Sequence, residues 1–288
     1  VSHTTVASPA LSGVPRTLML TTRARVDEHH RPNGILRDPI VADWWRSLSW
    51  DASLDSLYNP LSQLGWAVRA HLIDEIVQRH LAVHPQAVVV ELGAGLSSRY
   101  YRVGQSSQCW LELDLPETIA LRRQFDPESD RHRFLPVSAL AFNWLDEVPA
   151  CPPASLLIIA EGLFMYLPPD DLQILITKLK QRFLGATLVF DAVGGITRGR
   201  TAQQLSALNA PLQWFIQNEH DLPKLGLSLV ETRSLIQEMS RYRDRIGAFR
   251  WVPWLCQFPP FRNSSLLLET RLKSLRRGNG DKVQGSRF

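Results

Sequence analysis

AVVVELGAGLSSRYYRVGQSSQCWLELDLP, residues 87–116, holds the pattern from which the fold is read. Val88, Val89 and Val90 form a β-branched run too short for a helix and suited to a strand buried on both faces of a parallel sheet. Glu91-Leu92-Gly93-Ala94-Gly95 follows, and without Cβ atoms at Gly93 and Gly95 the backbone can turn sharply and approach a ligand at the strand's carboxyl end. A second apolar segment, residues 110–115, carries Asp114 roughly 20 residues beyond the glycines, the spacing at which doubly wound folds place a carboxylate on ribose hydroxyls. The pattern predicts an adenosine-type site, although two glycines and an acid also fit a strand-to-helix turn that binds nothing. Ser98 stands where a dinucleotide fingerprint has its third glycine, which counts against NAD.

Outward from this stretch, short apolar runs alternate with helical ones. The runs are 88–92, 110–115, 134–137, 156–160, 187–191, 227–231 and 265–270; helices are expected over 96–102, 116–125, 169–183, 202–209 and 234–242. The alternation predicts an α/β fold, a seven-stranded, mostly parallel sheet with helices on both faces. The first third reads as helical. One helix is expected over 17–30, with Leu18, Met19 and Val26 on its apolar side and Arg23 and Arg25 pointing elsewhere. A second starts at Asp38-Pro39, and a long amphipathic one over 62–81 buries Leu64, Val68, Leu72, Ile76 and Val77. The domain reading is a tail and helical cap over 1–85, a core over 86–272 and a basic tail over 273–288. Within the core, 243–262 is rich in Trp, Phe and Pro. That segment either lids the mouth of a site, packs on the cap, or meets another subunit.

Composition narrows the class. At 288 residues and 44% hydrophobic, the chain is long enough for one large domain with elaborations and too apolar to be disordered. Much of the net charge of +4 comes from the last 18 residues, which read as a solvated basic tail, with an anchor for nucleic acid or anionic lipid as the lesser alternative. Three separated cysteines give no Cys-x-x-Cys pair, and eight histidines give no ligand grouping, so neither a disulfide framework nor a metal is expected. The first residues lack the pattern of a secretory leader, and no run of 18 apolar residues occurs. A cytoplasmic protein, a monomer or homodimer without membrane or nucleic-acid partners, is expected.

Several co-linear motifs, VVVELGAGLSSRYYRV from Val88, WLELDLPETIALRR from Trp110 and LLIIAEGLFMYL from Leu156, are similar to the leucine carboxyl methyltransferase family. The likeness is strongest to a bacterial branch whose members methylate polyketide carboxyl groups. TLMLTTRARV, ILRDPIVADWW and SQLGWAVRAHLIDE fit the same family upstream, so the resemblance spans about residues 17–270. It implies a class I Rossmann-like methyltransferase with an N-terminal helical cap and S-adenosyl-L-methionine as methyl donor. Position by position, it places Arg69 on the donor's carboxylate, Gly93 and Gly95 beneath the donor, Asp114 at the ribose and Glu161 near the amino-acid end. Glu91, Leu115, Ser138 and Ala139 complete the implied donor site. Arg25 and Tyr166 are implied as the residues facing the acceptor. A zwitterionic sulfonium ligand fits such a set, a guanidinium for its carboxylate and carboxylates for its amine and ribose.

The chain departs from the branch at two places. Leu96-Ser97-Ser98-Arg99 replaces Leu-Asp-Thr-Arg, and Ser138-Ala139-Leu140-Ala141 lacks an acid before Trp144, which leaves the adenine contacts to Ser138 or to backbone groups. The expected reaction is O-methylation of a small, polyketide-like acceptor. A carboxylate is preferred because no catalytic base is evident, with Arg25 pairing to it; His29 and His30 are the only cap histidines close by. The alternatives are methylation of a protein's C-terminal carboxylate, or a protein that binds the donor without turnover.

Overall fold

The computed structural model describes residues 13–273. Its seven strands are β1 (Val88–Leu92), β2 (Cys109–Asp114), β3 (His132–Pro136), β4 (Leu156–Ala160), β5 (Thr187–Val193), β6 (Leu227–Ser234) and β7 (Ser265–Leu272). They form one sheet in the order β3-β2-β1-β4-β5-β7-β6, parallel from β1 to β5, with β7 antiparallel to both of its neighbours. The fold expected from the alternation is therefore the one observed. β1 lies at the point where strand order reverses, where α/β sheets open a crevice beyond the carboxyl ends.

Among the described residues eight α-helices surround the sheet: α1 (Leu18–His30), α2 (Pro39–Trp45), α3 (Pro60–Val83), α4 (Pro116–Arg122), α5 (Pro169–Arg182), α6 (Arg200–Ala207), α7 (Leu235–Met239) and α8 (Pro259–Arg262). α3 starts earlier than the apolar stripe alone predicts. Asn59 accepts from the N–H groups of Leu61 and Ser62, Ser62 caps in return, and Pro60 fits the first helical position. Although it lies within the span expected as cap, α3 covers one face of the sheet: Leu64, Val68, Ile73 and Ile76 pack with Val89, Leu157, Val189 and Leu267. The other face, through Val90, Leu111, Ile158 and Phe190, packs against Leu172, Leu175 and Leu179 of α5 and against Trp144. α1 and α2 pack with residues 48–57 as a separate apolar cluster above the sheet's carboxyl edge.

Two helices differ from expectation. Residues 96–98 are not helical, and only a π-type turn, Tyr100–Gly104, follows them; its last residue must be glycine because the Trp110 indole lies where a side chain would be. α7 stops at Met239 and gives way to 3-10 turns through Phe249, with a break at Tyr242. No helix among the described residues is long and apolar enough to cross a membrane. Beyond Lys273, the basic tail lies outside the described residues.

Phe190 is fully buried on β5, 4.9 Å from Phe164 and 6.4 Å from Trp214 between ring centroids. Phe190→Ala is expected to lower unfolding free energy by about 3–5 kcal/mol in urea titrations. A loss below about 1 kcal/mol would show that this layer is not the packed centre described.

Candidate active site

A cavity of about 540 Å³ opens beyond the carboxyl ends of β1, β2, β4 and β5, under α1. That volume lies within the roughly 300–1,000 Å³ usual for small-molecule sites. Its floor is the turn after β1. Gly93 and Gly95 have φ of 64° and 55°, a region that side-chain-bearing residues rarely adopt, and a Cβ on Gly93 would come within 3.1 Å of Leu163. The Gly95 N–H donates to Asp114 Oδ2 and the Leu115 N–H to Oδ1, both at 2.7 Å. Burial pushes the Asp114 carboxyl up, and these two N–H groups oppose the rise. The bonds fix the carboxylate's orientation and leave further lone pairs for ligand hydroxyls.

At the other end, Arg69 reaches across from α3. Its Nε donates to Glu161 Oε1 at 2.9 Å and its Nη1 to Asp191 Oδ2 at 2.7 Å, while Nη2 has no hydrogen-bond partner among the described residues. Gly162 makes room for this guanidinium: its φ is 65°, a Cβ there would lie 3.3 Å from Nη2, and its N–H donates to Asp191 Oδ1. Glu161 also receives Arg99 Nη2. Burial alone would raise the Glu161 carboxyl, but Arg69 and Arg99 hold it down to about 2, so it stays anionic.

Behind these residues the charges continue in alternation. Arg99 donates to Asp74 at 2.8 Å and to Glu91 at 2.7 Å; Arg102 donates to Asp74 and to Asp38, both at 2.7 Å. Arg25 Nη1 donates to Ser98 Oγ at 2.6 Å and to Asp38 Oδ2 at 3.1 Å, and its Nη2 to the Leu96 carbonyl at 2.7 Å.

All the residues expected at the site line the one cavity: Arg25, Arg69, Glu91, Gly93, Gly95, Asp114, Leu115, Ser138, Ala139, Glu161 and Tyr166. Two of them, and the aromatic segment 243–262, sit differently from expectation. Arg25 does not point elsewhere from α1; it is 7% exposed, and its guanidinium is engaged within the protein rather than offered to an acceptor. It lies seven residues after Leu18, on the same helical stripe, and that spacing was the signal for its burial. Glu91 is 3% exposed and held by Arg99, so it anchors that arginine, and burial pushes its own carboxyl up. The aromatic segment does not close the mouth: Phe249, Trp251, Trp254 and Phe258 are exposed and absent from the cavity wall, where Leu235, Ile236 and Met239 of α7 stand instead.

Asp191, Arg99 and Asp74 were not anticipated. Asp191 had one signal, a carboxylate at the end of a parallel strand, and Asp38 was read only as a helix cap, which it also is. Away from the charged end, the cavity is walled by Leu57, Trp66, Leu205 and Leu212, with the hydroxyls of Thr197, Thr201 and Tyr166. Burial pushes the Tyr166 phenol up, so it remains protonated. Among the described residues, no histidine, cysteine or lysine lines the cavity, and each charged group that does is Asp114 or part of the alternating network.

A sequence model of the leucine carboxyl methyltransferase family matches residues 19–180. The tetracenomycin polyketide synthesis O-methyltransferase TcmP of Streptomyces glaucescens is 34% identical over 231 residues, 78% of this chain and 84% of that protein. The S-adenosyl-L-methionine-dependent methyltransferase dpfgK of Gibberella zeae is 23% identical over 269 residues, 84% and 88% of the two chains. A crystal structure of a DUF574 family protein from Streptomyces avermitilis shares the fold, with a TM-score of 0.55 and 12% identity, over 90% of this chain and all of that one.

The Glu161 carboxyl lies below its ordinary value of 4.5, so its contribution to stability is complete above about pH 4.5 and is lost as pH falls toward about 2. Acid unfolding followed by circular dichroism should therefore be less steep across that window in Glu161→Gln than in the parent. Equal slopes would contradict the ion-paired geometry.

Proposed function

The chain belongs to the leucine carboxyl methyltransferase family, and from that premise we propose an S-adenosyl-L-methionine-dependent O-methyltransferase that esterifies the carboxylate of a small, largely apolar acceptor. The observation that carries this reading is the pairing of two anchors at opposite ends of one cavity. Arg69 offers a free Nη2, and Asp114 is held by backbone N–H groups, about where a nucleoside joined to an amino acid presents its carboxylate and its ribose. The glycine turn between them leaves backbone room for the linker. These residues fit the donor.

Arg69 Nη2 would bind the donor's carboxylate, Glu161 would face its ammonium, and Asp114 would accept from the ribose hydroxyls. The adenine edge would meet Ser138 and Ala139 after β3, whose side chains carry no charge. S-adenosyl-L-methionine supplies a methyl already activated by a sulfonium, so the reaction is an in-line displacement. The protein's task is alignment and exclusion of water, which contribute up to roughly 7–11 kcal/mol. α1 contributes Leu18, Leu20 and Thr21 to the cavity wall.

The missing base selects the acceptor. A carboxylic acid with a pKa near 4 is ionised at neutral pH, whereas a phenol near 10 is about a thousandth ionised and starts roughly 4 kcal/mol behind. Tyr166, protonated by its burial, would donate a hydrogen bond to the acceptor rather than take a proton from it. The apolar far wall supports an acceptor of polyketide type, the class that TcmP's name records for that protein.

Calorimetry should give saturable binding of S-adenosyl-L-methionine, weakened at least about tenfold by Arg69→Lys, which keeps the charge and loses the fork. On a panel of aryl carboxylic acids, matched phenols and leucine-terminated peptides, the carboxylic acids should form methyl esters with kcat/KM flat from pH 6 to 9. A rate that climbs tenfold per pH unit would point to a phenol. Donor binding with no turnover on any acceptor would point to a protein that no longer catalyses.

A further inference from the structure

α1 touches the donor turn twice. Leu18 lies over Gly95, where an added Cβ would meet its side chain at 3.4 Å, and two helical turns later Arg25 grips Leu96 and Ser98. The Leu96 carbonyl has no backbone N–H partner among the described residues; Arg25 Nη2 is its donor. Ser98 is drawn into the same cluster, donating through Oγ to Asp38 Oδ2 at 2.5 Å and accepting from Arg25 and Arg102. Asp38 in turn caps α2 through the Val41 N–H, and it is completely buried. The roof of the cavity is thus tied by three side chains to the residues directly after Gly95, whose N–H orients Asp114.

We propose that Arg25 and Asp38 are positioning residues for the donor: a clasp from the helical cap that holds residues 96–98 in their non-helical course, and through them the Gly95–Asp114 bond that faces the ribose. The proposal rests on the donor reading above and assigns Arg25 a role other than pairing with the acceptor. A buried carbonyl and a buried carboxylate both lose a charged donor when Arg25 is removed, but Asp38 keeps Arg102, so the cap retains a partner for its buried charge. The cost therefore falls on the turn.

The test compares Arg25→Gln, Ser98→Ala and Asp38→Asn with the parent; asparagine caps a helix as well as aspartate does, so the last removes the charge and keeps α2 capped. Calorimetric Kd for S-adenosyl-L-methionine should rise about tenfold in Arg25→Gln and in Asp38→Asn and about threefold in Ser98→Ala. The acceptor KM and kcat, measured at saturating donor, should change less than twofold. The double variant Arg25→Gln/Asp38→Asn should bind the donor no more weakly than either single one, as expected for one unit. A raised acceptor KM with unchanged donor Kd would overturn the proposal in favour of acceptor pairing. Unchanged donor Kd in all three variants, in a parent that binds the donor, would overturn the clasp alone; a parent that fails to bind the donor would sink the donor reading with it. Ser98→Ala, a one-atom deletion, keeps the comparison valid should the charge variants unfold.

Discussion

A charge taken out of water must find a partner, and that constraint shapes everything at the sheet's carboxyl edge. From β5 to the cap the groups alternate in sign without a break: Asp191, Arg69, Glu161, Arg99, Asp74, Arg102, Asp38, Arg25. Each arginine but the last lies between two carboxylates, and the four carboxylates come from four different stretches of chain. Such an array adds little net stability over an apolar filling, because desolvation offsets most of the attraction. Its effect is geometric, since planar guanidinium forks accept few orientations. The array therefore sets where α3, β4, β5 and the cap stand relative to one another, and the cavity is the space that this arrangement leaves.

This also explains why the local departures from the family pattern coexist with an assembled site. Ser97, which stands where the family pattern has its acid, carries no charge and accepts from the Arg99 N–H at 3.3 Å, while the hydroxyl of the adjacent Ser98 is placed among Asp38, Arg25 and Arg102 and joins the network as both donor and acceptor. Around Ser138 the missing acid leaves the cavity wall neutral, with Ser138 Oγ turned to the Leu140 N–H. Charge is confined to the stretch of the cavity from Asp114 to Arg69, and the wall of Leu57, Trp66, Leu205 and Leu212 is apolar, a division suited to holding one ionic ligand and one apolar ligand side by side.

The sheet is legible because its signals are local: short apolar runs, bounded by Gly, Pro or helix caps, each map onto a strand within a few residues. The glycine turn and Asp114 were legible for the same reason, since backbone conformation and spacing carry them. The network was not, because Arg69 and Asp191 are 122 residues apart and Arg25 and Ser98 are 73 apart, and a lone charged residue on a helix gives no sign of a partner so distant. Residues 96–98 have ordinary helical propensity, and it is a tertiary donor, Arg25 on the Leu96 carbonyl, that holds that backbone open. The aromatic segment 243–262 leaves three places open in the sequence, the cavity mouth, the cap and another subunit, and the structure excludes the first. Its composition suits a wall, but α7 had already filled the place where it would have stood.

The order of the strands has a further consequence for how the molecule comes into being. β7, the last strand, does not add to an edge; it slots antiparallel between β5 and β6, which precede it in the chain. Until residue 272 has been made, β5 and β6 each show a row of unsatisfied amide and carbonyl groups, and neither can satisfy the other. A nascent or shortened chain is in this respect an open seam, prone to take up a strand from a neighbour. The sheet is therefore complete only once residues 265–272 are in place, and a segment far from the ligand-binding residues acts as its final stitch.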